Sequence, residues 1–116
     1  MKLQIKPGQT VAVVAAPADL ELGLPAGNKL IKDPDKAEVV VAFVRDRAAL
    51  GEAQTAKALA SARADRLTWF VYPKAGQLGT DLNRDLLAEA LQGKGVRPVR
   101  QISVDAVWSA LRFRPE

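Results

Sequence analysis

Cysteine and histidine are both absent from the 116 residues of this chain. The first absence removes disulfide frameworks, cysteine nucleophiles and iron–sulfur clusters. The second removes Ser-His-Asp triads and haem held by histidine, and together they remove the usual zinc sites. No two basic residues are adjacent anywhere, so there is no nuclear-localisation-type or polybasic lipid-binding run. No apolar stretch approaches the roughly 18 residues that span a membrane. Carboxylates, Lys, Arg, Tyr, Ser and Thr remain for chemistry. No constellation of them is diagnostic of one reaction, and no catalytic residue is assigned.

What is present is an ordinary globular mixture, 48% apolar and 26% charged, which argues against disorder. The length favours one domain over residues 1–116, and such a chain buries roughly two-thirds of its unfolded surface. Net charge is +4 and the isoelectric point is near 9.7. Residues 1–58 carry eight basic and seven acidic groups, and residues 59–116 carry nine and six, so the excess sits in the second half. A basic isoelectric point is one mark of nucleic-acid binders, but a patch and a reading motif are not visible. The plain reading is a solvated basic surface, and nucleic acid is not an expected partner. Lys2 and Lys6 before Val11–Ala16 faintly imitate a secretory signal. The run is too short and lacks leucine, and it reads instead as a buried strand of a soluble, cytoplasmic protein.

Three segments are short and almost wholly apolar: Val11–Ala16, Val39–Val44 and Leu67–Tyr72. They do not alternate apolar with polar, so both faces need cover, as in central strands of a parallel sheet. They begin 28 residues apart each time, about one βαβ unit. Between them, Asp46–Ala64 predicts an alanine-rich helix with Asp46 as N-cap, weakened at Gly51 by about 1 kcal/mol. Asp81–Gln92 predicts a second helix with Leu82, Leu86 and Ala90 on one stripe beside Leu87 and Leu91. Thr80 or Asp81 is its expected cap, and Gly93 its left-handed stop. A minor strand is expected over Lys29–Lys32, and Val99–Val104 with Val107–Arg114 predict a hairpin about Asp105-Ala106. In the last strand Val107, Ser109, Leu111 and Phe113 share one face, and Trp108, Ala110, Arg112 and Arg114 the other. The expected fold is α/β: a mainly parallel sheet with helices on both faces and a C-terminal antiparallel hairpin.

This order of elements resembles a shortened class I methyltransferase, or Rossmann-like, sheet, with Val11–Ala16 as its first strand, Val39–Val44 as its fourth and Leu67–Tyr72 as its fifth. The chain also resembles a family of small bacterial proteins defined as a domain of unknown function. The residues concerned are Lys6-Pro7-Gly8 before Val13-Val14-Ala15-Ala16-Pro17, Val44-Arg45-Asp46-Arg47, Tyr72-Pro73-Lys74, Thr80-Asp81-Leu82-Asn83-Arg84, Val104-Asp105 and Trp108-Ser109-Ala110-Leu111-Arg112-Phe113. That second likeness spans nearly the whole chain and implies no activity. The methyltransferase likeness implies a glycine-rich cofactor loop after the first strand and an acid after the second. The loop position reads Ala15-Ala16-Pro17-Ala18-Asp19, without glycine, and Asp33 or Asp35 is the available acid. No cofactor and no metal are expected.

Tyr72 through Asp81 is the most suggestive stretch, running from a central strand through Gly76 and Gly79 into a helix start. Backbone N–H groups and the helix dipole there would favour an anion, with Lys74 adding charge. The glycines would equally serve the turn alone, with Thr80 capping. Arg45 follows the neighbouring strand at the carboxyl edge, where open α/β sheets bind ligands. The candidate site is therefore Pro17, Arg45, Lys74, Gly76, Gly79, Thr80 and Asp81, and its expected occupant is a small anionic ligand, nucleotide-like, or a protein partner. A minimal methyltransferase-like enzyme, with Lys74, Tyr72 and Asp46 or Asp81 in acid–base roles, is the alternative. A second copy of the chain pairing through an edge strand is a further expected partner. Trp108 and Arg112 could stack a base, although core packing suits Trp108 better.

Overall fold

Runs of β-branched and aromatic residues with no polar alternation must lie inside a sheet covered on both sides. In the computed structural model, which describes residues 3–15 and 27–116, they do. The chain runs β1 (Thr10–Val14), β2 (Lys29–Ile31), β3 (Val39–Phe43), α1 (Ala53–Arg63), β4 (Leu67–Pro73), α2 (Arg84–Gln92), β5 (Val96–Ser103) and β6 (Trp108–Pro115). One six-stranded mixed sheet has the order β2-β1-β3-β4-β6-β5. β1 pairs in parallel with β2 and β3, and β3 with β4, whereas β6 is antiparallel to both β4 and β5. The three apolar runs are adjacent and interior. The first ends at Val14, where Ala15 adopts a φ of +58°, and Ala16 lies outside the described residues.

Alternation divides the core. Ala12, Val14, Val40, Ala42, Phe70, Tyr72, Leu111 and Phe113 face one way and pack with Ala58, Leu59 and Ala62 of α1 and Leu87 and Leu91 of α2. Val11, Val39, Val41, Phe43, Trp69, Val71, Trp108 and Ala110 face the other way and pack with Leu3 and Ile5. Both α1 and α2 thus cover one face, and the other is met, among the described residues, by N-terminal chain outside regular structure rather than by a helix. Trp69 supplies a physical reason. Its fully buried indole N–H needs an acceptor, and the Leu3 carbonyl takes it at 2.8 Å. A carbonyl outside helix and sheet is free to accept, whereas one inside a helix is already engaged.

Helix boundaries depart from the sequence pattern for local reasons. The alanine-rich segment splits into a 3-10 turn at Ala48–Gly51 and then α1, with Glu52 extended between them. Asp46 caps that turn, accepting the Ala49 N–H at 3.0 Å, rather than capping α1. The second helix begins at Arg84 and not at Asp81. Asn83 is its N-cap, accepting the Leu86 N–H at 2.9 Å, because Thr80 and Asp81 are engaged elsewhere. Gly93 stays right-handed at φ −73°; the left-handed residue is Gly95, at φ +87°. The first hairpin strand starts earlier than expected, at Val96, and the second keeps its expected length but is shifted by one residue. Asp105 Oδ1 holds the turn by accepting the Val107 and Trp108 N–H groups, both at 2.8 Å. The edges are blunted against strand addition: β2 has three residues, and β5 carries Pro98 and a register break beside it. Among the described residues no helix is long and apolar enough to cross a membrane.

Trp69→Ala should cost about 3–5 kcal/mol in denaturant melts, the range for removing a large buried aromatic. A loss under about 1 kcal/mol would show that Trp69 is not clamped between two packed layers.

Candidate functional site

The parallel strands β3 and β4 end side by side, and the loops that follow them are stitched together by backbone bonds. Thr80 Oγ1 donates to the Arg45 carbonyl at 2.7 Å and accepts the Leu82 N–H at 3.1 Å. Asp81 Oδ1 accepts the Arg47 N–H at 2.8 Å. Arg45, Thr80 and Asp81 are therefore brought together by structural bonds. Gly76 and Gly79 have φ of +81° and +67°, and a Cβ built on either meets nothing within 4 Å. They serve backbone conformation, not close approach. Arg45 is exposed and, among the described residues, has no ion-pair partner. Pro17 lies outside the described residues. Asp46 and Asp81 each hold a loop N–H with Oδ1, and Tyr72 and Lys74 bond elsewhere, to Gln101 and Ser103.

Lys74 turns away from that cluster. Its N–H donates to the Val107 carbonyl at 2.7 Å, and its Nζ reaches Ser103 Oγ at 2.8 Å. This places the ammonium at a cavity of about 440 Å³ between the end of β4, the β5–β6 turn and the first residue of α2. Tyr72, Lys74, Arg84, Gln101, Ser103 and Ser109 line it, and no carboxylate does. Gln101 Nε2 donates to Tyr72 Oη at 3.2 Å and to Ser109 Oγ at 3.4 Å, and Ser109 Oγ donates to the Ile102 carbonyl at 3.0 Å. Arg84 approaches Asp85 at 3.1 Å, with both side chains largely in solvent. Such an exposed pair is weak, about 0–1 kcal/mol, so the guanidinium can exchange it for another anion.

Arg84, Gln101, Ser103 and Ser109 were not foreseen from the sequence. The signal for three of them lay in the hairpin register about Asp105-Ala106, which sets Ser103 opposite Ser109 and Gln101 opposite Leu111. Trp108 packs edge-on against Phe43, with centroids 5.3 Å apart, and offers no stacking surface. A second cavity, about 550 Å³, opens at the carboxyl ends of β1 and β2 between Val14, Ala15, Ile31, Lys32, Gln54 and Lys57. Asp33 does not line it; its Oδ1 accepts the Asp35 N–H at 3.0 Å and caps the turn at Pro34–Lys36. Among the described residues no cluster of three acidic side chains suits a metal ion. Comparison of the chain with protein-family models and with curated proteins finds no match.

Asn83→Ala should lower stability by about 1 kcal/mol, the usual cost of removing an N-cap, with a matching loss of helical circular dichroism. An unchanged melt would return the start of the helix to Thr80 or Asp81.

Proposed function

We propose that this protein is a non-catalytic, cytoplasmic binding domain for a small anionic ligand of nucleotide size, held at the carboxyl edge of a Rossmann-like sheet. The observation that carries this reading is the convergence of Lys74 and Arg84 on one acid-free cavity with the Tyr72, Ser103 and Ser109 hydroxyls and the Gln101 amide. An anion there would meet two cations and the Tyr72 hydroxyl, with Gln101, Ser103 and Ser109 bonded to one another and to backbone as the cavity wall. Charged donors of this kind bind phosphate or carboxylate oxygens. The volume falls within the range of about 300–1,000 Å³ common to small-molecule sites. The likeness to a small bacterial family adds no activity to this reading.

The strand order favours a second reading, a minimal methyltransferase-like enzyme. If one outer strand of the doubly wound order 3-2-1-4-5 is left out, β2-β1-β3-β4 follows it. The cavity beside β1 and β2 would then take the cofactor. Its residues fit adenosylmethionine poorly: Ala15 stands where the cofactor loop begins, and neither Asp33 nor Asp35 lines the cavity to take ribose hydroxyls. No step is derived through that cofactor.

Calorimetric titration with ATP, AMP and inorganic phosphate tests the first reading. Lys74→Ala and Arg84→Ala should each weaken the best of these by about 1–3 kcal/mol, as for loss of a charge-assisted hydrogen bond, and binding should fall as salt rises. Equal affinities in wild type and both variants would remove the cavity as the site. Thermal stabilisation by adenosylmethionine and not by nucleotides would favour the second reading.

A further inference from the structure

Like charges set directly opposite each other destabilise an antiparallel pair, yet β5 and β6 do this twice. Arg97 stands opposite Arg114, and Arg100 opposite Arg112. The register break between Pro98 and Arg100 takes Val99 out of step. Arg97 and Arg100, three positions apart, therefore share the face of Arg112 and Arg114. That face continues from Trp108 and Ala110, on the side away from α1 and α2, whereas Gln101 and Ser109 of the Lys74 cavity face the opposite way. Among the described residues Asp65 is the one carboxylate in ion-pair range of these four, gripping Arg114 at 2.9 and 3.0 Å. Arg112 donates to Gln4 Oε1 at 3.0 Å, while its Nε is buried with no described partner. Its own burial, followed by the charge of Arg114, lowers the Arg112 pKa, so the guanidiniums are electrostatically coupled.

We propose that this arginine face docks the phosphate backbone of a nucleic-acid duplex. Guanidinium forks match phosphate oxygens, and bound phosphates would relieve the repulsion built into the hairpin. A duplex is favoured over a single strand because the side chains that could stack bases are inside: Trp69 and Trp108 are 0% and 7% exposed. An acidic peptide added as a strand along β5 is opposed by Pro98 and the register break at that edge. With phosphate contacts alone, binding is independent of base sequence and steeply dependent on salt.

Fluorescence anisotropy with a labelled mixed-sequence duplex of about 20 base pairs, between about 50 and 200 mM salt, tests this proposal. Wild type should bind at the lower salt. Arg97→Gln/Arg100→Gln, at two exposed positions, should stay folded by circular dichroism, lose about tenfold or more in affinity, and lower the logarithmic salt slope by about two. Arg100→Gln alone, the fallback if the double variant melts early, should lower the slope by about one. Lys29→Gln/Lys36→Gln removes the same charge from exposed positions on β2 and the turn after it, and should change affinity less than about twofold if the face rather than net charge binds. The proposal is overturned if wild type fails to bind, if the two double variants lose equally, or if a single strand of equal length binds more tightly. Competition by polyglutamate as effective as that by unlabelled duplex would also overturn it and assign the face to acidic protein.

Discussion

Strand β4 is buried from Thr68 to Pro73, and the rest of the molecule answers that constraint. A strand with two apolar faces needs two covers, and its backbone needs partners on both edges. β3 supplies one edge in parallel and β6 the other in antiparallel. Phe70 and Tyr72 look toward the helices, and Phe70 meets Phe113 edge-on at 5.4 Å, which fastens the hairpin to the sheet. Trp69 and Val71 look the other way. One polar atom in that dry layer, the Trp69 indole nitrogen, draws in chain 66 residues distant to satisfy it. An unpaired donor there would cost about 1–3 kcal/mol, and this bond places the N-terminal segment together with the packing of Leu3 and Ile5 and the Arg112–Gln4 bond.

Electrostatics at the carboxyl edge follow from where its acids are held. Asp46 and Asp81 accept loop N–H groups, and Asp105 holds the hairpin turn. These bonds fix the position of each carboxylate without removing its charge, and none of the three lines the Lys74 cavity. Lys74 meets a neutral hydroxyl on Ser103, and Arg84 an exposed neighbour in Asp85.

Much of the sheet was legible because its signal is long and unambiguous. Val39–Phe43 and Leu67–Pro73 lack polar alternation, and nothing but a doubly covered strand accommodates them. The α/β class and the terminal hairpin followed from the same reasoning. Helix starts were less legible: Asp46, Thr80, Asp81 and Asn83 are all competent caps, and long-range partners such as the Arg45 carbonyl decided which one served. The candidate site was half legible. Lys74, Arg45 and the glycine loop lie at the expected edge, but Lys74 joins residues from β5 and β6, not the loop. Its partner, Ser103, is a polar residue with no local signature, and only strand register brings it near. The arginines escaped notice for the same reason, since they are separated along the chain and meet across a hairpin.

The register break at Val99 carries a consequence for how this hairpin can drift. Val99 is 37% exposed, so its chemical identity matters little to packing. Its place outside the pairing matters a great deal, since side chains alternate at a period of two and Pro98 and Arg100 already oppose consecutive residues of β6. Loss of Val99 would leave Val96 in the core beneath α2 and Arg97 outside it, whereas drawing Val99 into register would turn Arg97 inward and Val96 out. The stretch is permissive toward the identity of Val99 and intolerant of its pairing; what it encodes is slack.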